Sequence, residues 1–508
     1  MEGTRHWPGR LAALALAGLI LGTLAVVAWQ ARGLSGLGPW DWRAIWFTIW
    51  QAVLSATLSA ALAVPVARAL ARRRFWGRDA LVMLLGAPFI LPVIVAVMGL
   101  IAVFGRSGWL NAGLALAGLP ALSVYGWQGV ILAHVFFNLP LSVRLVLQGW
   151  QAIPAERVRL AQSLDFAPRD MLRHLERPML REVLPGVWLA VFLVCLTSFA
   201  VALALGGGPR ATTVELAIYQ AFRFDFDIGR AASLALVQVG LCVAAMAVAT
   251  RVAMPAGFGA GMDRGDALRG PGGWRRGADA VIIALAAGFL ILPMLGVVAE
   301  GLPRVAGLPA HVWQAALRSV VMALISGGVT LVLGLSLALA AQSRWVEWAG
   351  MLPLVASPLV LGTGLFLMLR GLARPEDLAL PVTVGVNAVM ALPFALRALV
   401  PQVAALRADY GRLADSLDMT GWARLRLVTL PRLARPLGFA GGLAAALAMG
   451  DLGVIALFAS SDQATLPLKL YQLMNSYRMG DAAACAVLLM AISFALFWVF
   501  DKGGRHVA

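Results

Sequence analysis

IPAERVRLAQSLDFAPRDMLRHLERP (Ile153–Pro178) and LRADYGRLADSLDMTGWARLRLVTLP (Leu406–Pro431) are two copies of one segment within a single chain. Aligned without gaps, they share Arg-Leu-Ala, Ser-Leu-Asp, a Leu-Arg pair and a terminal proline. The correspondence extends outward on both sides. Asn138-Leu-Pro140 faces Ala391-Leu-Pro393 upstream, and Thr213–Gln220 (TVELAIYQ) faces Thr465–Gln472 (TLPLKLYQ) downstream. In each copy a helix from about Ala155 or Ala408 is expected to run to a Leu-Asp step, followed by a second short helix ending at Pro178 or Pro431. Aspartate tolerates the left-handed backbone better than most residues, so Asp165 and Asp418 are expected to turn the chain between two helices at a membrane surface. One basic amphipathic loop would read as a headgroup-binding element. Two, at matched positions, read as equivalent docking elements for a twofold-symmetric partner.

Everything around the two copies is apolar. Hydrophobic residues make up 61% of the 508 and charged residues 13%, against about 45–50% and about 25% in soluble chains. With a mean hydropathy of +0.83, this excludes a soluble enzyme, a disordered chain and a disulfide scaffold. A bilayer core of about 30 Å takes about 20 helical residues. Apolar runs of that kind start near Leu11, Ala44, Ala80, Trp127, Pro185 and Gly229, and again near Ala278, Val312, Trp348, Ala379, Leu437 and Ala482. The predicted fold is all-α and polytopic: about 12 transmembrane helices in two parallel six-helix repeats. The first run is longer than a signal-peptide core and is expected to stay as a span. The repeats are expected at 1–252 and 278–508, with cytoplasmic loops at about 154–178 and 407–431, joined by a Gly/Arg-rich linker at 253–277.

The net charge of +16 does not signal nucleic acid, because the basic residues are divided among short loops between spans. Most fall on one side of the twelve-span arrangement, which the positive-inside rule makes cytoplasmic, with both termini on that side. Cys195, Cys242 and Cys485 lie inside apolar runs without ligand spacing and read as small apolar residues. No metal site is expected.

The doubled loop resembles the E-A-A-x-x-x-G loop of ABC importer permeases, which docks into a cleft of the ATPase subunit. On this chain the motif's Glu falls on Arg159 and Arg412, its second Ala on Ala161 and Ala414, and its Gly on Asp165 and Asp418, with Pro178 and Pro431 closing each loop. More broadly, Trp46 to Gly504 resembles the fused-halves permeases of thiamine and thiamine pyrophosphate ABC importers. Carrying that resemblance are WQAVLSATLSAALAVPVARALARRRFWGR (Trp50–Arg78), LAHVFFNLP (Leu132–Pro140), LGGGPRATTVELAIYQA (Leu205–Ala221) and GDLGVIALF (Gly450–Phe458). The resemblance implies a bacterial inner-membrane subunit that passes thiamine and its phosphate esters from a periplasmic thiamine-binding protein to the cytoplasm. It implies two copies of a cytoplasmic ABC ATPase, with ATP and Mg on that partner and no cofactor on this chain. Fused ferric-iron permeases share the architecture and are the alternative; an ion-coupled secondary transporter is the alternative from another class.

The chain's own residues agree that it has no catalytic site for ATP. A P-loop needs Gly-Lys-Ser/Thr, whereas Lys469 precedes Leu470 and Lys502 precedes Gly503. Polar groups within the spans are few. Asp451 is expected inside its span as a cavity-lining acid for a cation or as a structural contact, with Ser198 as its counterpart. Asn138, His134 and Asn387 are expected to hydrogen-bond across helices and secondarily to line the path. Thr212-Thr213-Val214-Glu215 fits a capping box with Glu215 at its third helical position, and Gly206–Gly208 a tight reversal. Trp40, Trp42, Trp46 and Trp50 read as an interfacial belt.

Overall fold

The computed structural model describes residues 7–33, 36–86, 90–206, 208–249, 251, 273–371, 374–458 and 463–507. Every regular element among them is helical. The first run comprises α1 (Trp7–Gln30), α2 (Pro39–Arg72), α3 (Arg78–Leu84), α4 (Val93–Phe104), α5 (Trp109–Leu116), α6 (Trp127–Gln151), α7 (Ala155–Ser163), α8 (Pro168–Met171), α9 (Arg177–Leu196), α10 (Ala200–Leu205), α11 (Val214–Arg223) and α12 (Ile228–Ala249). The second comprises α13 (Trp274–Gly301), α14 (Ala310–Ala340), α15 (Arg344–Met351), α16 (Pro358–Leu369), α17 (Pro375–Ser416), α18 (Gly421–Arg424), α19 (Leu430–Met449), α20 (Gly453–Phe458), α21 (Leu466–Asn475) and α22 (Met479–Val507). The four-residue α8 and α18 each lead into a five-residue π turn (Leu172–Glu176 and Leu425–Thr429). Helices of 20, 6 and 10 residues then follow in both runs. Of the linker expected at 253–277, residues 253–272 lie outside the described residues, and Trp274–Gly277 already form the first turn of α13.

Among the described residues eleven helical stretches are long and apolar enough to cross a membrane, and the bent pair Arg344–Leu354 and Pro358–Leu369, meeting at 95°, makes up to twelve. The chain is a multi-span membrane protein. Two expected spans are corrected. Ala80 lies in the separate short helix α3, and the long apolar helix starts at Val93. Trp348 lies in α15, before the bend. Pro92 caps α4, and Pro353 and Pro358 flank the bend. A proline cannot supply the N–H that would carry a helix through such a point, so an unbroken apolar run becomes two helices.

Each run lends its first helix to the other. α1 packs on α14, α15 and α16 as well as on α12, and α13 packs on α2 and α4 as well as on α22. Lipid is as apolar as leucine, so these crossings depend on close approach. A Cβ on Gly99 of α4 would sit 2.5 Å from the Pro293 carbonyl oxygen of α13, and one on Gly364 of α16 would sit 2.9 Å from the Thr23 carbonyl oxygen of α1. Arg73 and Asp279 add a 2.7 Å ion pair between the runs. Trp40, Trp42, Trp46 and Trp50 all face outward, as a belt requires. Of the glycine-rich reversal, Gly207 lies outside the described residues, and Gly208 takes a φ of +134°.

Candidate functional site

The doubled loop is built the same way twice. α7 stops at Ser163 and α17 at Ser416, and Asp165 and Asp418 both take a φ of +47°. The Phe166 amide returns to the Ala161 carbonyl at 3.0 Å, and the Met419 amide to the Ala414 carbonyl at 2.9 Å. This is the helix-ending bond that a left-handed residue permits, with aspartate in glycine's usual place. Asp165→Gly and Asp418→Gly are therefore expected to assemble as well as the parent. Valine at either site costs about 1–2 kcal/mol of loop stability, which thermal unfolding and partner capture of the paired variants would detect. Pro178 and Pro431 do not end a helix as expected: the backbone stays helical from each π turn through Arg177 and Leu430, and each proline is the second residue of the α-helix that continues from it.

The faces of these loops divide between neighbouring residues. Ala161 and Ala414 turn inward, 3% and 2% exposed, while Arg159, Arg412, Asp165 and Asp418 are exposed. Exposed beside them are the leucines of the shared triplets: Leu160 and Leu164 in one copy, Leu413 and Leu417 in the other, with Leu160 60% and Leu413 56% exposed. One helical turn separates each pair, so each copy presents an apolar strip. The shared Arg-Leu-Ala and Ser-Leu-Asp letters contain these leucines, but a motif alignment directs attention to the alanine and to the glycine position.

The two loops are anchored differently. In the first, the fully buried Glu176 pairs with Arg68 at 2.9 Å and with Arg72, both on α2. Thr429 stands at the matching place in the second, bonded only to the Arg424 carbonyl, and there Arg407 donates to the Leu339 carbonyl of α14 instead. Sequence reading missed this anchor. Its signal was Glu176 opposite Thr429 in the aligned copies.

The remaining candidates gather where the long helices break. α9 ends at Leu196 and α19 at Met449, and three residues separate each from its short successor. Ser198 lies in the first gap and Asp451 in the second. Asp451 is thus not inside a continuous helix as expected: the helix ends two residues earlier, and its Oδ1 accepts from the Gly453 amide at 3.1 Å and the Val454 amide at 3.5 Å. The breaks are neighbours, since a Cβ on Gly453 would lie 3.6 Å from Phe199. Each break holds a polar pair at matched positions. His134 Nε2 and Ser198 Oγ are 2.7 Å apart, and the Asn387 amide lies beside Asp451. The first pair is satisfied, and Asn138 joins it by donating to the His134 carbonyl at 2.8 Å and to Cys195 Sγ at 3.3 Å. In the second, Asn387 Nδ2 and Asp451 Oδ2 are buried without a hydrogen bond.

Glu215 requires a correction too. Thr213, not Thr212, caps α11, its Oγ1 accepting from the Leu216 amide at 3.3 Å. The helix starts one residue later than the capping box needs, so Glu215 is its second residue and neither carboxylate oxygen is bonded.

No family model matches the chain. Curated relatives do, over most of its length. It is 40% identical to the thiamine transport system permease protein ThiP of Salmonella typhimurium over 463 residues, covering 86% of this chain and 85% of that protein. Against the protein of the same name from Escherichia coli the identity is 39% over 528 residues, covering 98% and 97%. Against that from Brucella abortus it is 38% over 517 residues, covering 98% and 95%.

Proposed function

Because the chain belongs to the thiamine transport system permease family, we propose that it is the membrane subunit of an ATP-driven importer carrying thiamine and its phosphate esters inward. The observation that carries this reading is likeness over nearly the whole length of named thiamine permeases, which favours thiamine over iron as cargo. The two helical runs serve as fused permease halves, 1–252 and 278–508, joined by the segment 253–277. The face bearing the doubled loop and most basic residues is cytoplasmic, in the bacterial inner membrane, with both termini on that side. A periplasmic thiamine-binding protein delivers cargo to the opposite face.

In this reading the chain hydrolyses nothing. ATP and Mg sit on two copies of a partner ATPase, each receiving one loop. Leu160 and Leu164 fill one cleft, and Leu413 and Leu417 the other, while the Asp165 and Asp418 turns hold each strip at a fixed angle. Closure of the ATPase pair moves both loops together. The crossed helices α1 and α13 transmit that movement as displacement of one half against the other, and the adjoining breaks at Ser198 and Asp451 are where the path opens. Co-expression of the tagged chain with a thiamine-system ATPase tests the reading: two ATPase copies per chain are expected, and capture of none would overturn it.

A further inference from the structure

Glu215 is fully buried, and among the described residues it has no arginine or lysine partner. Its polar neighbours are the hydroxyl of Ser357, which caps α16, and the thiol of Cys242 on α12. The Ser357 hydroxyl lies beside the carboxylate without completing a hydrogen bond, and both carboxylate oxygens are unbonded. An ionisable side chain within a membrane protein is costly, and one held without a partner marks a path.

The fold does not need a carboxylate at this place. Thr213 supplies the cap of α11. The second half builds a helix of the same 10 residues at the matching position, with Pro467 where Glu215 stands. What distinguishes Glu215 is its location. Thr213 Oγ1 donates to the Ser198 carbonyl at the first break, at 3.3 Å. Phe222, farther along α11, meets Phe366 of α16 edge-on at 4.5 Å, and Phe366 in turn meets Phe458 of α20 at 5.7 Å. Glu215 therefore lies at the seam where the first half rests on the second, about two helical turns from the Phe222–Phe366 contact that closes the same seam. Asp451, at the second break, also has one buried unbonded oxygen. Each half thus carries a carboxylate with buried, unused hydrogen-bonding capacity, at different positions of the repeat.

We propose that Glu215 contacts the substrate: when α11 parts from α16, its carboxylate is exposed to the path and, with Asp451, receives a positively charged substrate such as the thiazolium of thiamine. This inference rests on the permease reading above.

Two measurements on the full assembly test it. In proteoliposomes with the ATPase and loaded binding protein, Glu215→Gln is expected to keep binding-protein-stimulated ATP hydrolysis while labelled thiamine uptake falls about tenfold. Glu215→Asp is expected to keep most of the uptake. Unchanged uptake in Glu215→Gln would overturn the inference while leaving the permease reading intact; no uptake by the parent chain would count against that reading instead. The second measurement does not depend on the cargo. In a chain with Cys195, Cys242 and Cys485 changed to alanine, Glu215→Cys is expected to react with a trimethylammonium thiosulfonate in the nucleotide-trapped assembly and to be protected in the resting one. Absence of labelling in both states would overturn the inference whatever the chain carries.

Discussion

Changing Leu160 and Leu413 together to aspartate is expected to abolish ATPase capture and ATP-driven uptake while the chain remains in the membrane. Both side chains are more than half exposed, and they sit at the same place in the two copies. Burying a leucine at a partner contact contributes about 1.5–3 kcal/mol. Each ATPase copy loses one such leucine, which lowers its affinity about 10- to 150-fold, and the buried charge lowers it further. Ala161→Glu and Ala414→Glu are also expected to stop transport, by a different route. Those alanines face inward, so a bulky acid overpacks the loop and buries a charge, and the loss appears first as lower thermal stability of the isolated chain. The leucine variants leave that stability unchanged. A leucine double variant that still captures the ATPase at the parent's level would mean the strips are not the docking surface.

Glu176→Ala is expected to destabilise the first loop alone. Its carboxylate is fully buried against Arg68 and Arg72, and removing one partner of such a cluster costs about 3–5 kcal/mol because the remaining charges lose their counterion. The second loop has Thr429 in that place and should be unaffected. Limited proteolysis should therefore cut within 154–178 in the variant and spare 407–431, and ATPase capture should fall toward one copy per chain. Changing Arg68 and Arg72 to leucine in the same variant removes the stranded charges and should restore much of the loss. Equal protection of both loops in Glu176→Ala would show that the cluster is not an anchor.

The sequence reveals the span number because hydropathy sums over about 20 residues. That same summing conceals the breaks. The runs near Ala80 and Trp348 contain prolines while their summed hydropathy stays high, so each apparent span is two helices, and in the second the pair meets at 95°. The doubled loop is legible because it occurs twice, and the left-handed turns at Asp165 and Asp418 follow from their spacing. Which face of the loop is free is not legible. Leu160 and Ala161 are adjacent letters about 100° apart on a helix, and only the packing of the loop on the bundle decides which turns outward. The anchor at Glu176 and the isolated carboxylate at Glu215 depend on partners, or missing partners, more than 100 residues away in sequence. A local motif such as a capping box assigns such a residue to the nearest backbone, which shifts Glu215 by one helical position from where Thr213 caps α11.

The most direct test of the permease assignment is uptake of labelled thiamine by proteoliposomes containing this chain, its ATPase and its binding protein, with ATP on the loop side. Accumulation that requires ATP, the binding protein and the exposed leucines together is the expected result. Iron accumulation without thiamine, or thiamine accumulation that persists without ATP, would contradict it.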